Sequence, residues 1–282
     1  MYPPAASVST GPCTMTRRSP KRRASGGFTL LELLVIAALT ATLLGLMAPM
    51  ISRARASGEA AQCASNLRRL YVANALYAAD NGCYVAAAPD IFAANLHRWH
   101  GARDSLSEPF DFSRSPLAPY LGGDRRLKTC PAFRRYRNER AANAFEASCG
   151  GYGYNYVGVG SQCYLRGYNP EGVARGMSPA MLRDPARTIM FADCAFPQPY
   201  GSPEYLIEYS FAEPYRFVDG DGNESSDSPL PSLHFRHNGA ANVVWCDGHI
   251  SRQKMAFSCD EQFRGFKVGW FGGRDNSLFD PY

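Results

Sequence analysis

Residues 28–51 read FTLLELLVIAALTATLLGLMAPMI, an apolar run of 24 residues with a single charged side chain, Glu32. As a helix rising about 1.5 Å per residue it covers roughly 36 Å, enough for a bilayer hydrocarbon core of about 30 Å. A core helix of a soluble domain rarely runs this far without polar relief, so the run is a membrane-inserting or targeting segment. Five basic residues precede it (Arg17, Arg18, Lys21, Arg22, Arg23) and no Asp or Glu does. That asymmetry keeps the first residues cytoplasmic and exports the chain beyond the run. It also accounts for the formal net charge of +5: beyond residue 27 the chain has 25 Lys and Arg against 25 Asp and Glu. The basic balance therefore reports orientation in a membrane, and no nucleic-acid partner is expected, there being no basic-aromatic patch. With 45% hydrophobic and 20% charged residues the chain is neither disordered nor a multi-span membrane protein.

A carboxylate inside an apolar span is costly and marks function. Glu32 lies four residues after Phe28, which follows Gly26-Gly27. Cleavage between Gly27 and Phe28 would create a cationic amine one helical turn from Glu32, a natural counter-ion on the same chain or on a neighbour. The string Gly27-Phe28-Thr29-Leu30-Leu31-Glu32, with basic residues before and the apolar run after, resembles the prepilin-type cleavage and methylation motif of type IV pilins and type II secretion pseudopilins. The resemblance implies cleavage after Gly27 by the prepilin peptidase, N-methylation of Phe28, and assembly guided by Glu32 pairing with the N-terminus of an adjacent subunit. Pro49 falls where many pilins carry a helix-kinking proline. Met15 offers a second start, giving the leader MTRRSPKRRASGG. A rival is an ordinary signal peptide, since Ala54-Arg55-Ala56 matches an A-x-A site; its apolar core, however, should be far shorter. The two differ in the mature N-terminus, Phe28 or Ser57.

Past Ile51 the chain turns polar but keeps a helical beat: Ala56, Ala60, Cys63, Leu67, Leu70, Asn74 and Tyr77 make one face, and Asn81-Gly82 is a stop signal. The expected organisation is a leader over 1–27, a transmembrane half-helix over 28–51, an amphipathic stalk over 52–82 and a globular head over 83–282. The fold class is α+β, a long N-terminal helix packed on a loop-rich antiparallel β-sheet head. Within the head, 134–147 reads as a short polar helix, 152–160 and 188–193 as strands, and 197–232 as a long surface loop.

Near the end, Asn242–Cys246 and His249–Ser251 flank Asp247-Gly248, a hairpin with the type I′ signal, which needs positive φ at both central residues. Nine residues separate His237 from Asp247-Gly248. This resembles the H-X9-DG signature at the carboxy end of many pilin-like proteins, and Cys63-x-x-Asn66-Leu67-Arg68, Cys130-Pro131 and the Tyr-Gly-Tyr-Asn run agree with it. His234, His237, Asp247 and His249 have the chemistry of a metal set if the hairpin brings them together. The plainer reading has His237 bonded to a loop carbonyl or to Asp247, with Asp247 and Gly248 serving the turn. Asp219, Asp221, Asn223 and Asp227 resemble the opening of a calcium loop, departing from an EF-hand at its glycine and final glutamate positions. No cofactor is assigned, and calcium at this loop is the one candidate.

No C-x-x-C occurs, which disfavours a zinc ribbon or thioredoxin-type motif. Of nine cysteines, Cys13 precedes the cleavage point, leaving eight in an exported domain, where disulfides are expected. Eight allow roughly a hundred connectivities. Cys63–Cys130, which would pin head to stalk, and Cys149–Cys163 are the expected bridges. No hydrolase triad order, phosphate loop or H-E-x-x-H is present, so no catalytic residue is assigned. The expected function is a structural subunit of a type II secretion pseudopilus or type IV pilus-like filament. Its partners are the prepilin peptidase, the inner membrane and other pilin or pseudopilin subunits, and its head lies in the periplasm or at the cell surface. The alternative is a membrane-tethered exported binding or metal-dependent domain that uses the same export route.

Overall fold

The computed structural model describes residues 27–123, 126–136, 146–198 and 205–282. The leader over 1–26, with its basic cluster, Met15 and Cys13, lies outside the described residues, as does most of the expected helix over 134–147. What is described of that helix is a 3₁₀ turn, Phe133–Arg135.

Contacts divide the chain into two units, Met1–Pro49 and Met50–Tyr282. One helix, α1 (Leu30–Asn81, 52 residues), runs through both and continues through Pro49. It begins with a reciprocal cap: Thr29 N–H and Oγ–H donate to Glu32 Oε2 (2.8 and 2.9 Å), and Glu32 N–H donates to Thr29 Oγ1 (3.3 Å). This is the capping box, which satisfies amides that the first helical turn leaves bare. Within the apolar run the two threonines turn their hydroxyls back on the helix, Thr40 to Ile36 O and Thr42 to Ala38 O, so no side-chain donor is left over. The helix ends where expected. Gly82 takes a φ of +74°, and its N–H returns to Ala78 O.

In chain order the head contains β1 (His97–Arg98), β2 (Gly101–Ala102), β3 (Tyr152–Tyr154), α2 (Cys163–Arg166), α3 (Pro170–Val173), β4 (Ile189–Asp193), β5 (Phe196–Gln198), β6 (Tyr205–Ile207), β7 (Leu233–His234), β8 (Ala240–Trp245), β9 (Ile250–Lys254), α4 (Glu261–Gly265) and β10 (Val268–Gly269). The central sheet has the order β3-β4-β8-β9 and is antiparallel throughout; β1-β2, β5-β6 and β7-β10 are two-stranded. An α+β head with the second half of α1 packed on antiparallel strands is therefore what this sequence builds.

A register shift between Ile189 and Phe191 decides how β4 is used. Ile189 joins one buried cluster with Val243, Trp245 and Trp270, while Met190 and Phe191 face another with Leu67, Leu70 and Trp99. A bulge puts one extra residue in a strand and so changes which face the next side chain meets. Asp193 then points toward α1. The helix face that meets this layer contains Ala60, Cys63, Asn66, Leu67, Leu70, Ala73, Asn74 and Ala78, all buried; Ala56 and Tyr77, at the ends of the expected stripe, are only half-buried. Two asparagines in it reach strand tyrosines, Asn66 Nδ2 to Tyr152 Oη and Asn74 Nδ2 to Tyr154 Oη, each at 2.9 Å.

Three expectations for the head are corrected. The strand at 152–160 stops at Tyr154, because Asn155 accepts and donates across a turn to Gly158, Ile189 and Phe279. The supposed surface loop at 197–232 contains part of β5 and all of β6, and its Ser210, Phe211 and Ala212 are buried, with Phe211 bridging to Tyr154. Residues 199–204 of that stretch lie outside the described set. Finally, the terminal hairpin is longer than read, Ala240–Trp245 paired with Ile250–Lys254.

Candidate functional site

Both ends of the H-X9-DG signature are turns, of different kinds. At His237-Asn238-Gly239-Ala240, the N–H of His237 donates to Ala240 O and that of Ala240 to His237 O, with φ of +54° at Asn238 and +78° at Gly239. This is the type I′ turn, and Asn-Gly is its strongest sequence signal. The expectation placed that turn at Asp247-Gly248, where only Gly248 has positive φ, +87°. There Gly248 N–H donates to Trp245 O and Trp245 N–H to His249 O, which is the three-residue loop closed by a glycine bulge. Asp247 Oδ1 holds that loop by accepting from His249 N–H at 2.9 Å, with His249 Nδ1 2.7 Å away. Asp247 and Gly248 thus serve the turn, as the plainer reading had it.

The glycine is needed twice over. A Cβ on Gly248 would lie 2.4 Å from Cε1 of Tyr71 on α1, and Arg68 of α1 donates to Gly248 O. The loop is therefore seated on the helix.

The four side chains His234, His237, Asp247 and His249 do not converge. His234 is buried beside Arg236, its Nδ1 3.2 Å from Nη1; burial first, and the guanidinium second, hold it well below the usual histidine range. His249 is exposed and stacks on Trp245. His237 is buried as well, and its partner is Asp193 rather than Asp247.

Around Asp193 a second arrangement forms, from four separate segments. Asp193 Oδ1 accepts from Cys63 Sγ of α1 (2.8 Å) and from Arg236 Nη2 (2.6 Å); Oδ2 accepts from Asn242 N–H (2.8 Å) and lies 3.2 Å from His237 Nε2. Cys130, in the loop before the 3₁₀ turn, places its Sγ 3.6 Å from His237 Nε2 and accepts from Arg236 Nε at 3.3 Å. Cys63, Cys130 and Asp193 are 0% exposed and His237 2%. A buried carboxylate survives ionised only when saturated with donors. Burial raises the Asp193 carboxyl, but Arg236 and His237 outweigh it and bring it to about 2. Burial likewise opposes charge on the other members. Yet Asp193 and Cys130 lift His237 to about 9, while a hydrogen bond from Cys63, the charge of Arg236 and a hydrogen bond from His237 draw Cys130 down to about 4. Cys63, buried and beside those two anions, is held well above the usual thiol range.

One donor atom from each of Cys63, Cys130, Asp193 and His237 lies within 4.8 Å of the others, and these four can hold a metal ion. Among the described residues it is the single such group of His, Cys, Asp and Glu; the carboxylates of Asp219, Asp221 and Asp227 do not form one. Asp219 Oδ1 instead accepts from the N–H groups of Asp221 and Asn223, both at 2.9 Å, which closes its own loop. Neither expected disulfide is formed. Cys63 and Cys130 are neighbours, but both are free, engaged with Asp193 and with His237 and Arg236. Cys149 and Cys163 are free and buried apart, Cys163 Sγ accepting from Ser161 Oγ at 3.0 Å.

At the other end of the chain, Gly27 and Phe28 precede the cap, exposed, and Glu32 stands on the first helical turn. From Leu30 to Ile51 the large apolar side chains are 47–82% exposed. This stretch of α1 is long and apolar enough to cross a membrane, a test that a signal sequence near an N-terminus also passes. Comparison with protein-family models, with curated proteins and with solved structures yields no match.

Proposed function

We propose that this chain is a pilin-like structural subunit of a type II secretion pseudopilus or type IV pilus-like filament. The observation that carries the reading is α1 itself: an apolar, exposed first half continuous with a second half docked on an antiparallel head. In this reading the prepilin peptidase cuts between Gly27 and Phe28, Phe28 is methylated, and the run Phe28–Ile51 anchors the subunit in the inner membrane. On assembly that run exchanges lipid for the apolar helices of neighbouring subunits. The head lies in the periplasm or on the cell surface and has no turnover. The H-X9-DG segment fastens the head to the helix through Gly248 against Tyr71 at one end, while His237 at the other holds Asp193, the acceptor of Cys63 on α1. The buried, closed setting of His237 supports a structural role over the alternative of a metal-dependent exported enzyme, because no substrate can reach it.

Glu32 has two separable roles in this reading. Its carboxylate caps Thr29, and its charge pairs with the N-terminus of an adjacent subunit. An unpaired charge in a filament core disfavours the wrong stagger. Glutamine also satisfies a capping box, so Glu32→Gln removes the charge and keeps the cap. The expected result is a mature N-terminus at Phe28 in both wild type and variant, with filament incorporation of the variant strongly reduced. A mature N-terminus at Ser57 would replace the reading with signal-peptide export, and normal incorporation of Glu32→Gln would remove the charge from assembly.

A further inference from the structure

We infer that Cys63, Cys130, Asp193 and His237 form a structural site for a divalent thiophilic cation, zinc, which joins the second half of α1 to the head. The site does not depend on whether the chain is a filament subunit. Three observations carry it.

The first is geometry. Zinc binds thiolate at about 2.3 Å and imidazole or carboxylate at about 2.0–2.2 Å, so a tetrahedron has S···N edges of roughly 3.6 Å and N···O edges of roughly 3.3 Å. Cys130 Sγ and His237 Nε2 are 3.6 Å apart, and His237 Nε2 and Asp193 Oδ2 3.2 Å. With no pair of donors beyond 4.8 Å, closing the remaining edges to roughly 3.8 Å or less takes about an ångström.

The second is charge. Two thiolates and a carboxylate around a divalent ion leave one net negative charge, which is costly when buried. Arg236, 0% exposed at its side chain, supplies the compensating positive charge. It donates to two of the ligand residues, Nη2 to Asp193 Oδ1 and Nε to Cys130 Sγ, while Asn242 N–H donates to Asp193 Oδ2. Such outer bonds fix ligands in the orientation a metal needs. Zinc takes both sulfurs as thiolates and the imidazole neutral, so protons are released to solvent as the ion enters.

The third is closure. Four protein donors, all buried, leave no position for water, which distinguishes structural zinc from catalytic zinc. Two sulfur donors select against calcium and magnesium. The ligands come from α1, the Cys130 loop, the end of β4 and the turn before β8. Because residues so distant in sequence meet only in the folded chain, the binding free energy of the ion adds to the stability of the fold.

The test uses the full-length protein in detergent, reduced and stripped with a chelator, then titrated with cobalt(II). Expected is saturation at one cobalt per chain, with ligand-field bands of tetrahedral intensity, thiolate-to-cobalt charge transfer in the near ultraviolet, and bleaching on zinc addition. Cys163→Ser should leave the spectrum unchanged. Cys63→Ser and Cys130→Ser should each lose about half of the charge-transfer intensity, which scales with the two thiolates the site contributes. Failure of the reduced wild-type protein to develop these bands overturns the site, whether or not the variants fold. So does a Cys63→Ser variant with undiminished charge transfer. A Cys63–Cys130 disulfide found by peptide mapping, with no cobalt bound after its reduction, would assign the pair to a bridge instead.

Discussion

The two halves of α1 are one helix made of similar residues, and they live under opposite rules. Leu43 in the first half is 59% exposed, whereas Leu67 in the second is 0% exposed. The large apolar side chains of the first half stand exposed, and its polar groups are the capped start and two threonines bonded back to the helix. The second half buries leucines and alanines beside Cys63, Asn66 and Asn74, each of which meets a partner on the head. Hydrophobicity alone therefore does not say where a helix belongs. The polar residues among the apolar ones do, because each is tolerable only where a specific partner waits.

The sharpest way to break this comparison is truncation of one leucine in each half. Leu67→Ala should lower the stability of the head by about 2–5 kcal/mol, the cost of a core cavity, while Leu43→Ala should leave the melting of the head within about 0.5 kcal/mol of wild type. Thermal or urea unfolding followed by near-ultraviolet circular dichroism measures both. Equal losses would mean that the apolar half is part of the folded core.

Carboxylates follow the same division. Glu32 is exposed and answered by Thr29, but Glu213 is buried in the head with Oε1 bonded to Tyr209 Oη at 2.7 Å and Oε2 without a hydrogen-bond partner among the described residues. Burial, more than any neighbour, raises its carboxyl to about 7. A folded value raised above the unfolded one means the folded state holds the proton more tightly. That stability is fully present below the ordinary glutamate value and is lost as pH rises through about 7. The whole swing is about 3 kcal/mol. Glu213→Gln should remove it, so the variant gains on wild type from pH 5 to 7.5 in an unfolding series. Parallel pH profiles would refute the assignment.

The smallest effect tests the seat of the hairpin on the buried half. Gly239 and Gly248 both have positive φ, yet only Gly248 faces a neighbour that a Cβ would strike, Tyr71. Gly239→Ala should cost about 1 kcal/mol, from backbone strain alone, and Gly248→Ala about 2–3 kcal/mol. The difference between them should shrink in a Tyr71→Ala background. If the two substitutions cost the same, the loop does not clamp the helix.

Much of this was legible in the chain. The helix and its stop could be read from the apolar run, the spacing of Cys63, Leu67, Leu70 and Asn74, and Asn81-Gly82, because those signals are local. The strand ending in Asp193 and the two chains of the terminal hairpin were legible for the same reason. The type I′ turn was also in plain view as Asn238-Gly239, since Asn-Gly outranks Asp-Gly there. The partnership of His237 with Asp193 was not legible, as the two are separated by more than 40 residues and neither belongs to a short motif. Nor was the role of Arg236, whose neighbour His237 drew attention as part of the signature.

By itself, then, the sequence determined the helix, its stop and its division into an apolar half and an amphipathic half. Hydropathy and periodicity act over one helix and need no knowledge of neighbours. Only the tertiary structure decided which buried polar groups meet. A bulge in β4 turned Asp193 toward α1, and the Asn238-Gly239 turn set His237 beside it. Cys63 of α1 and Cys130 of its loop arrived there unbridged, each sulfur bonded within the Asp193, Arg236 and His237 group.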